Sequence, residues 1–61
     1  MNILKKLRKE HGLTQVKLAE MCGVSKSTIT MIEMGVNHPS VPLAKKLGKV
    51  LEVDWPVFFA D

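Results

Sequence analysis

Ser25, Lys26, Ser27, Thr28, Thr30 and Met31 fall within seven consecutive positions, and Gln15 adds a side-chain amide upstream. Hydroxyls, an amide and an ammonium give this stretch donors and acceptors for recognition. They do not give it a nucleophile, because no histidine and acid stand at a spacing that would activate a serine. His11 and His38 are far apart and Cys22 is the single cysteine, so a metal site is not expected. Neither an enzyme, nor a cofactor, nor a small-molecule ligand is expected from so small a chain. A helix that opens in small polar side chains at its exposed N-terminal end has a shape that fits the major groove of duplex DNA.

The elements that must hold these residues are helical. No run alternates as a strand would, whereas apolar residues recur at helical spacing throughout. Ile3, Leu4 and Leu7 form the apolar side of a first helix, which Gly12 stops. Thr14 caps a second helix whose Leu18, Ala19 and Cys22 share one face, and Gly23 ends it. Ser25 caps a third, with Ile29 and Ile32 inward and Gly35 at its close. Pro39 forces a loop, and Ser40 then caps a fourth helix whose stripe is Leu43, Ala44, Leu47, Val50 and Leu51. Asp54 is expected to cap a fifth, short helix containing Trp55, Phe58 and Phe59. The expectation is an all-α, compact five-helix bundle forming one domain over residues 1–61.

Between the second and third helices, Ala19 is small enough for close backbone approach and Gly23 permits the positive φ of a sharp turn. Val24 is apolar inside that turn. Together, at this spacing, these residues define a helix-turn-helix over about residues 14–34.

Composition supports a small globule with a polyanionic partner. The chain has 61 residues, 46% of them hydrophobic, which permits an apolar core without metals or disulfides. Its net charge of +3 divides unevenly, about +4 in residues 1–30 and −1 in residues 31–61. One cysteine allows no disulfide within the chain, so a reducing, cytoplasmic setting (bacterial cytosol or nucleoid) is expected. No apolar run approaches the roughly 20 residues that span a bilayer, and no membrane association is expected. Lys5 and Lys6 follow too soon for a signal peptide, and no effector domain is expected beyond Asp61.

The run Gly12-Leu13-Thr14-Gln15, Leu18-Ala19, Gly23-Val24-Ser25, Ile29, Ile32-Glu33 and Gly35 resembles the helix-turn-helix of the phage repressor and Cro family. The wider xenobiotic-response-element-like transcriptional regulators share it. Pro39-Ser40, Leu47 and Val53-Asp54-Trp55 resemble that family's fourth and fifth helices, so the likeness covers nearly the whole chain. It implies a sequence-specific DNA-binding regulator, a repressor, of phage, prophage, plasmid or bacterial origin. Such a protein binds double-stranded operator DNA as a homodimer.

The resemblance also implies a division of labour. Ser25, Lys26, Ser27, Thr28, Thr30 and Met31 would read bases, Lys26 through guanine O6 and N7 and Met31 through a thymine methyl. Gln15, Lys17, Lys6, Lys9, Asn37 and Ser40 would hold phosphates. Arg8 and Glu33 match a pair that the family places in contact. Two positions depart from the pattern: Met34 stands where the family often has asparagine, and Lys17 replaces a frequent glutamate.

The aromatic tail supplies the remaining expectation. Trp55, Val57, Phe58 and Phe59 are expected to contribute to a symmetric dimer contact, which resembles how the family pairs. Two recognition helices would then lie about 34 Å apart on a near-palindromic operator. The competing reading is a protein-interaction module, such as an antitoxin with autoregulatory DNA binding.

Overall fold

The computed structural model describes residues 2–60 and is helical throughout, with no strand among them. Its α-helices are α1 (Asn2–Glu10), α2 (Gln15–Cys22), α3 (Lys26–Glu33) and α4 (Val41–Leu51). A 3₁₀ helix, Trp55–Phe59, follows.

Three helices begin as their cap residues dictate. The hydroxyls of Thr14, Ser25 and Ser40 accept the backbone N–H groups of Lys17, Thr28 and Leu43 at 3.0, 3.2 and 3.2 Å. Each bond satisfies one donor that the first helical turn leaves unpaired. The turn between α2 and α3 rests on Gly23 at φ +71°, where the Val24 N–H reaches the Ala19 carbonyl at 3.0 Å. A side chain is rarely tolerated at that angle, so the glycine is required there.

The last two elements differ from expectation. Asp54 stands before the final helix in extended conformation but makes no side-chain cap, and the helix is 3₁₀ rather than α. The Val57 and Ala60 N–H groups bond three residues back, to Asp54 and Val57 at 3.1 and 3.3 Å. Pro56 lacks an N–H and the element has only five residues, too few to propagate an α-helical ladder. The five-helix bundle is therefore four α-helices and one 3₁₀ turn. The end of α4 carries no glycine; Glu52 itself takes the left-handed conformation, φ +60°.

The core comprises Leu4, Leu18, Ala19, Cys22, Ile29, Ile32, Leu43, Ala44, Leu47, Leu51 and Phe58. α2 packs on α3 and α4, α1 on α3, and α4 against the 3₁₀ helix. Each fully buried leucine or isoleucine contributes about 1.5–3 kcal/mol. Cys22 lies inside this core, where burial raises its thiol pKa and the Lys46 charge only partly opposes the rise.

Phe58 corrects the reading of the aromatic tail. It is fully buried among the monomer's own core residues, so it is not available to a dimer contact. The 3₁₀ helix turns Phe58 inward against α4, a direction that three apolar residues in a row, Val57-Phe58-Phe59, do not encode. Phe59 remains 43% exposed, and Trp55 and Val57 are half-buried. The Trp55 and Phe59 rings meet edge to face at 6.1 Å, with the Lys45 ammonium 5.6 Å from the Trp55 ring centre.

Candidate nucleic-acid interface

α3 buries Ile29 and Ile32 and turns its opposite side outward. Seven residues make almost two helical turns, so Ser27 and Met34 lie on one line, with Met31 between them. Lys26, Ser27, Met31 and Met34 are all exposed. Among the described residues, neither the Lys26 ammonium nor the Ser27 hydroxyl has a hydrogen-bond partner.

Behind that face runs a chain of four side chains. The Arg8 guanidinium donates from Nε to Glu33 Oε2 at 2.7 Å and from Nη2 to Glu33 Oε1 at 3.2 Å. Its Nη1 donates to the Leu13 carbonyl at 2.8 Å, so one side chain ties together α1, the α1–α2 turn and α3. Gln15 Nε2 donates to Glu33 Oε1 at 3.0 Å, and Thr30 Oγ1 donates to Gln15 Oε1 at 3.0 Å. The Glu33 side chain is only 4% exposed. Burial alone would raise its carboxyl pKa, but hydrogen bonds from Arg8 and Gln15, with the charges of Arg8 and Lys5, hold it below the ordinary value. The Arg8 pKa is raised, chiefly by its bond to Glu33 and against the cost of burial. The one acid on α3 thus presents no uncompensated charge to a polyanion.

Several expected readers are already engaged. Ser25 Oγ caps α3 and lies 3.0 Å from Thr28 Oγ1. The Thr30 hydroxyl has two acceptors in reach, Gln15 Oε1 at 3.0 Å and the Lys26 carbonyl at 3.1 Å. The Thr30 proton and one of the two in the Ser25–Thr28 pair are used within the protein, which leaves Lys26, Ser27 and Met31 as the side chains of that set least encumbered.

The expected phosphate ligands are more scattered. Lys17 is exposed on the first turn of α2, close in sequence to Gln15. Ser40 caps α4, which engages its oxygen lone pair but not its proton. Asn37 Nδ2 lies 3.8 Å from Met31 Sδ, so the loop after α3 rests on the exposed face. Lys6 and Lys9 are exposed on α1, and Lys9 shares its side with Lys5.

Two residues of this region lie outside the set expected to read or hold DNA. Lys5 is the lysine whose charge reaches Glu33, and its spacing of three from Arg8 signals that common face. Met34, at 69%, is the most exposed large apolar side chain among the described residues. The same three-residue spacing from Met31 places it on the outer line.

No helix among the described residues is long and apolar enough to cross a membrane. The family described as Helix-turn-helix matches residues 4–58. The chain is similar to the HTH-type transcriptional regulator YqaF of Bacillus subtilis, 45% identical over 58 residues, covering 95% of this chain and 76% of the relative. It is also similar to the HTH-type transcriptional regulator MJ0272 of Methanocaldococcus jannaschii, 48% identical over 52 residues, with 85% and 79% covered. The HTH-type transcriptional regulator SlrR of Bacillus subtilis is 41% identical over 58 residues, a stretch that is 93% of this chain and 38% of SlrR. The capped helices around Gly23, the paired Arg8 and Glu33 and these likenesses agree: the chain belongs to the Cro/C1-type helix-turn-helix family of DNA-binding transcriptional regulators.

Proposed function

We propose that this protein is a cytoplasmic repressor that binds a near-palindromic operator as a homodimer, with α3 of each copy in the major groove. Lys26, Ser27 and Met31 read base edges. Ser25, Thr28 and Thr30 fix the backbone and side chains that carry the readers and contribute bonds where a lone pair or proton remains. Gln15, Lys17, Lys9, Lys6, Asn37 and Ser40 hold phosphates, with Lys5 added to that set. Trp55, Val57 and Phe59 supply the apolar part of the dimer contact.

One observation carries the reading: the exposed side of α3 offers Lys26 and Ser27 with no partner among the described residues, while Glu33 is compensated by Arg8. An unpaired ammonium and hydroxyl at the start of a helix suit guanine acceptors and mixed base edges. A compensated carboxylate removes the repulsion that phosphates would otherwise meet.

Titration of labelled duplex DNA against the protein, at about 50 mM and about 200 mM salt, tests it. The expected result is tight binding to a selected site, in roughly the 10⁻⁸ to 10⁻¹¹ M range, that weakens steeply with salt. Binding equally weak on every duplex would contradict it.

A further inference from the structure

The Gln15 carboxamide stands between α2 and α3 with both of its ends engaged. Nε2 donates to Glu33 Oε1 at 3.0 Å, and Oε1 accepts from the Thr30 hydroxyl at 3.0 Å. The orientation is forced from the Glu33 side. A carboxylate only accepts, and Arg8 holds this one in place with a bond of 2.7 Å to its second oxygen. Turned over, the amide would set its own oxygen against Glu33 and lose both bonds. The oxygen therefore faces Thr30 and needs a donor there. Thr30 supplies it, and among the described residues no other group donates to that oxygen.

A helical threonine has an ordinary use for its hydroxyl, a bond to the carbonyl four residues back. Here that carbonyl belongs to Lys26 and lies at 3.1 Å. A helix carbonyl also accepts an N–H of the ladder, whereas Gln15 Oε1 depends on Thr30 alone. The single hydroxyl proton therefore has more to gain from the amide. Gln15 and Thr30 are both half-buried, so water competes only in part for their bond. An amide nitrogen carries two protons, and Glu33 takes one. The second has no acceptor among the described residues. Gln15 opens α2, where the unpaired N–H groups of a first turn favour an anion.

We infer that Thr30 is a positioning residue for the phosphate contact of Gln15. Together with Glu33 it fixes which way the Gln15 amide faces, and so keeps one Nε2 proton for the DNA backbone. The inference rests on the proposed phosphate role of Gln15. Thr30 lies on α3, one residue before Met31, yet it acts on affinity for any duplex and does so through α2. One hydroxyl thus joins the reading helix to a backbone contact. A shift of α3 against α2 breaks the bond that orients the phosphate ligand.

The test is a double-mutant cycle on duplex binding with T30V, Q15A and T30V/Q15A, each checked by thermal melting. Valine keeps the branched shape and removes the hydroxyl; T30A serves as a second hydroxyl-free variant, and T30S restores the hydroxyl. T30V should bind the selected site and an unrelated duplex about fivefold more weakly, the scale of one neutral hydrogen bond. T30S should bind as wild type does. Q15A should lose at least as much as T30V, and the double variant no more than Q15A. Replacing single phosphates by uncharged methylphosphonate should reveal a position that weakens wild type and T30S, weakens T30V less, and leaves Q15A unchanged. Additive losses for T30V and Q15A would overturn the inference, as would a T30V defect that T30S shares. A T30V loss confined to one base position of the selected site would make Thr30 a base reader and overturn it too, with DNA reading intact. Q15A binding every duplex as tightly as wild type would remove the phosphate role and the inference together. If wild type selects no site, the operator reading falls, and the cycle on the unrelated duplex still decides the role of Thr30.

Discussion

Arg8 Nε donates to Glu33 Oε2 across 2.7 Å, joining α1 to the end of α3 through a pair that is almost fully buried. Glu33 also accepts from Gln15, and Gln15 accepts from Thr30, so the orientation of α3 on α2 depends on the same carboxylate. Glu33→Gln keeps the shape but leaves Arg8 with an uncompensated charge, and should cost about 3 kcal/mol, the low end for a broken buried pair. Chemical denaturation of the two proteins would measure it. Because the folded-state pKa of Glu33 is below its unfolded value, its contribution is complete above the ordinary glutamate pKa of about 4.3. The contribution disappears as pH falls through the depressed value. The stability gap between wild type and Glu33→Gln should therefore be constant at neutral pH and shrink in acid.

Gly48 and Glu52 predict opposite signs for substitutions at neighbouring sites. A Cβ at Gly48 would stand 2.7 Å from the Val53 carbonyl oxygen and 3.1 Å from Trp55 Cβ. Gly48→Ala should destabilise by about 1–3 kcal/mol by overpacking, despite alanine's better helix propensity. Glu52 has φ +60°, where a side chain is penalised. Glu52→Gly should stabilise by roughly 1 kcal/mol. Thermal melts of both variants would read the two directions.

Phe58 and Phe59 are adjacent but predict different losses. Phe58→Ala removes a fully buried ring and should cost about 3–5 kcal/mol, a large share of the stability of so small a domain. Phe59→Ser alters a ring that is 43% exposed and should cost under about 1 kcal/mol. Sedimentation should nevertheless show weaker self-association for Phe59→Ser, since the proposed dimer contact includes that ring.

Lys17 tests the phosphate role. Lys17→Ala should lower affinity for specific and non-specific duplexes alike and reduce the salt slope by about one. A loss confined to the specific site would instead make Lys17 a base reader.

The capping hydroxyls of Thr14, Ser25 and Ser40 were legible in the sequence because each precedes an apolar helical period, and the structure gives all three their bonds. The Gly23 turn was legible for a similar local reason. Phe58 was not, because a run of three apolar residues has no period to say which one turns inward. Glu52 was hidden because its left-handed angle contradicts its residue type, and only the packing of α4 on the 3₁₀ helix accounts for the sharp end. The engagement of Thr30 by Gln15 joins residues 15 apart and depends on how α2 crosses α3. Residue spacing alone carries no such angle.

The claim that α3 reads sequence through Lys26 and Ser27 is tested most directly by selecting bound sites from random duplex DNA. Selection would be run in parallel with wild type, Lys26→Ala and Ser27→Ala. Wild type should converge on a near-palindromic site, with the preference at one position per half-site relaxed in each variant. Identical sites from all three proteins, or no convergence for wild type, would contradict it.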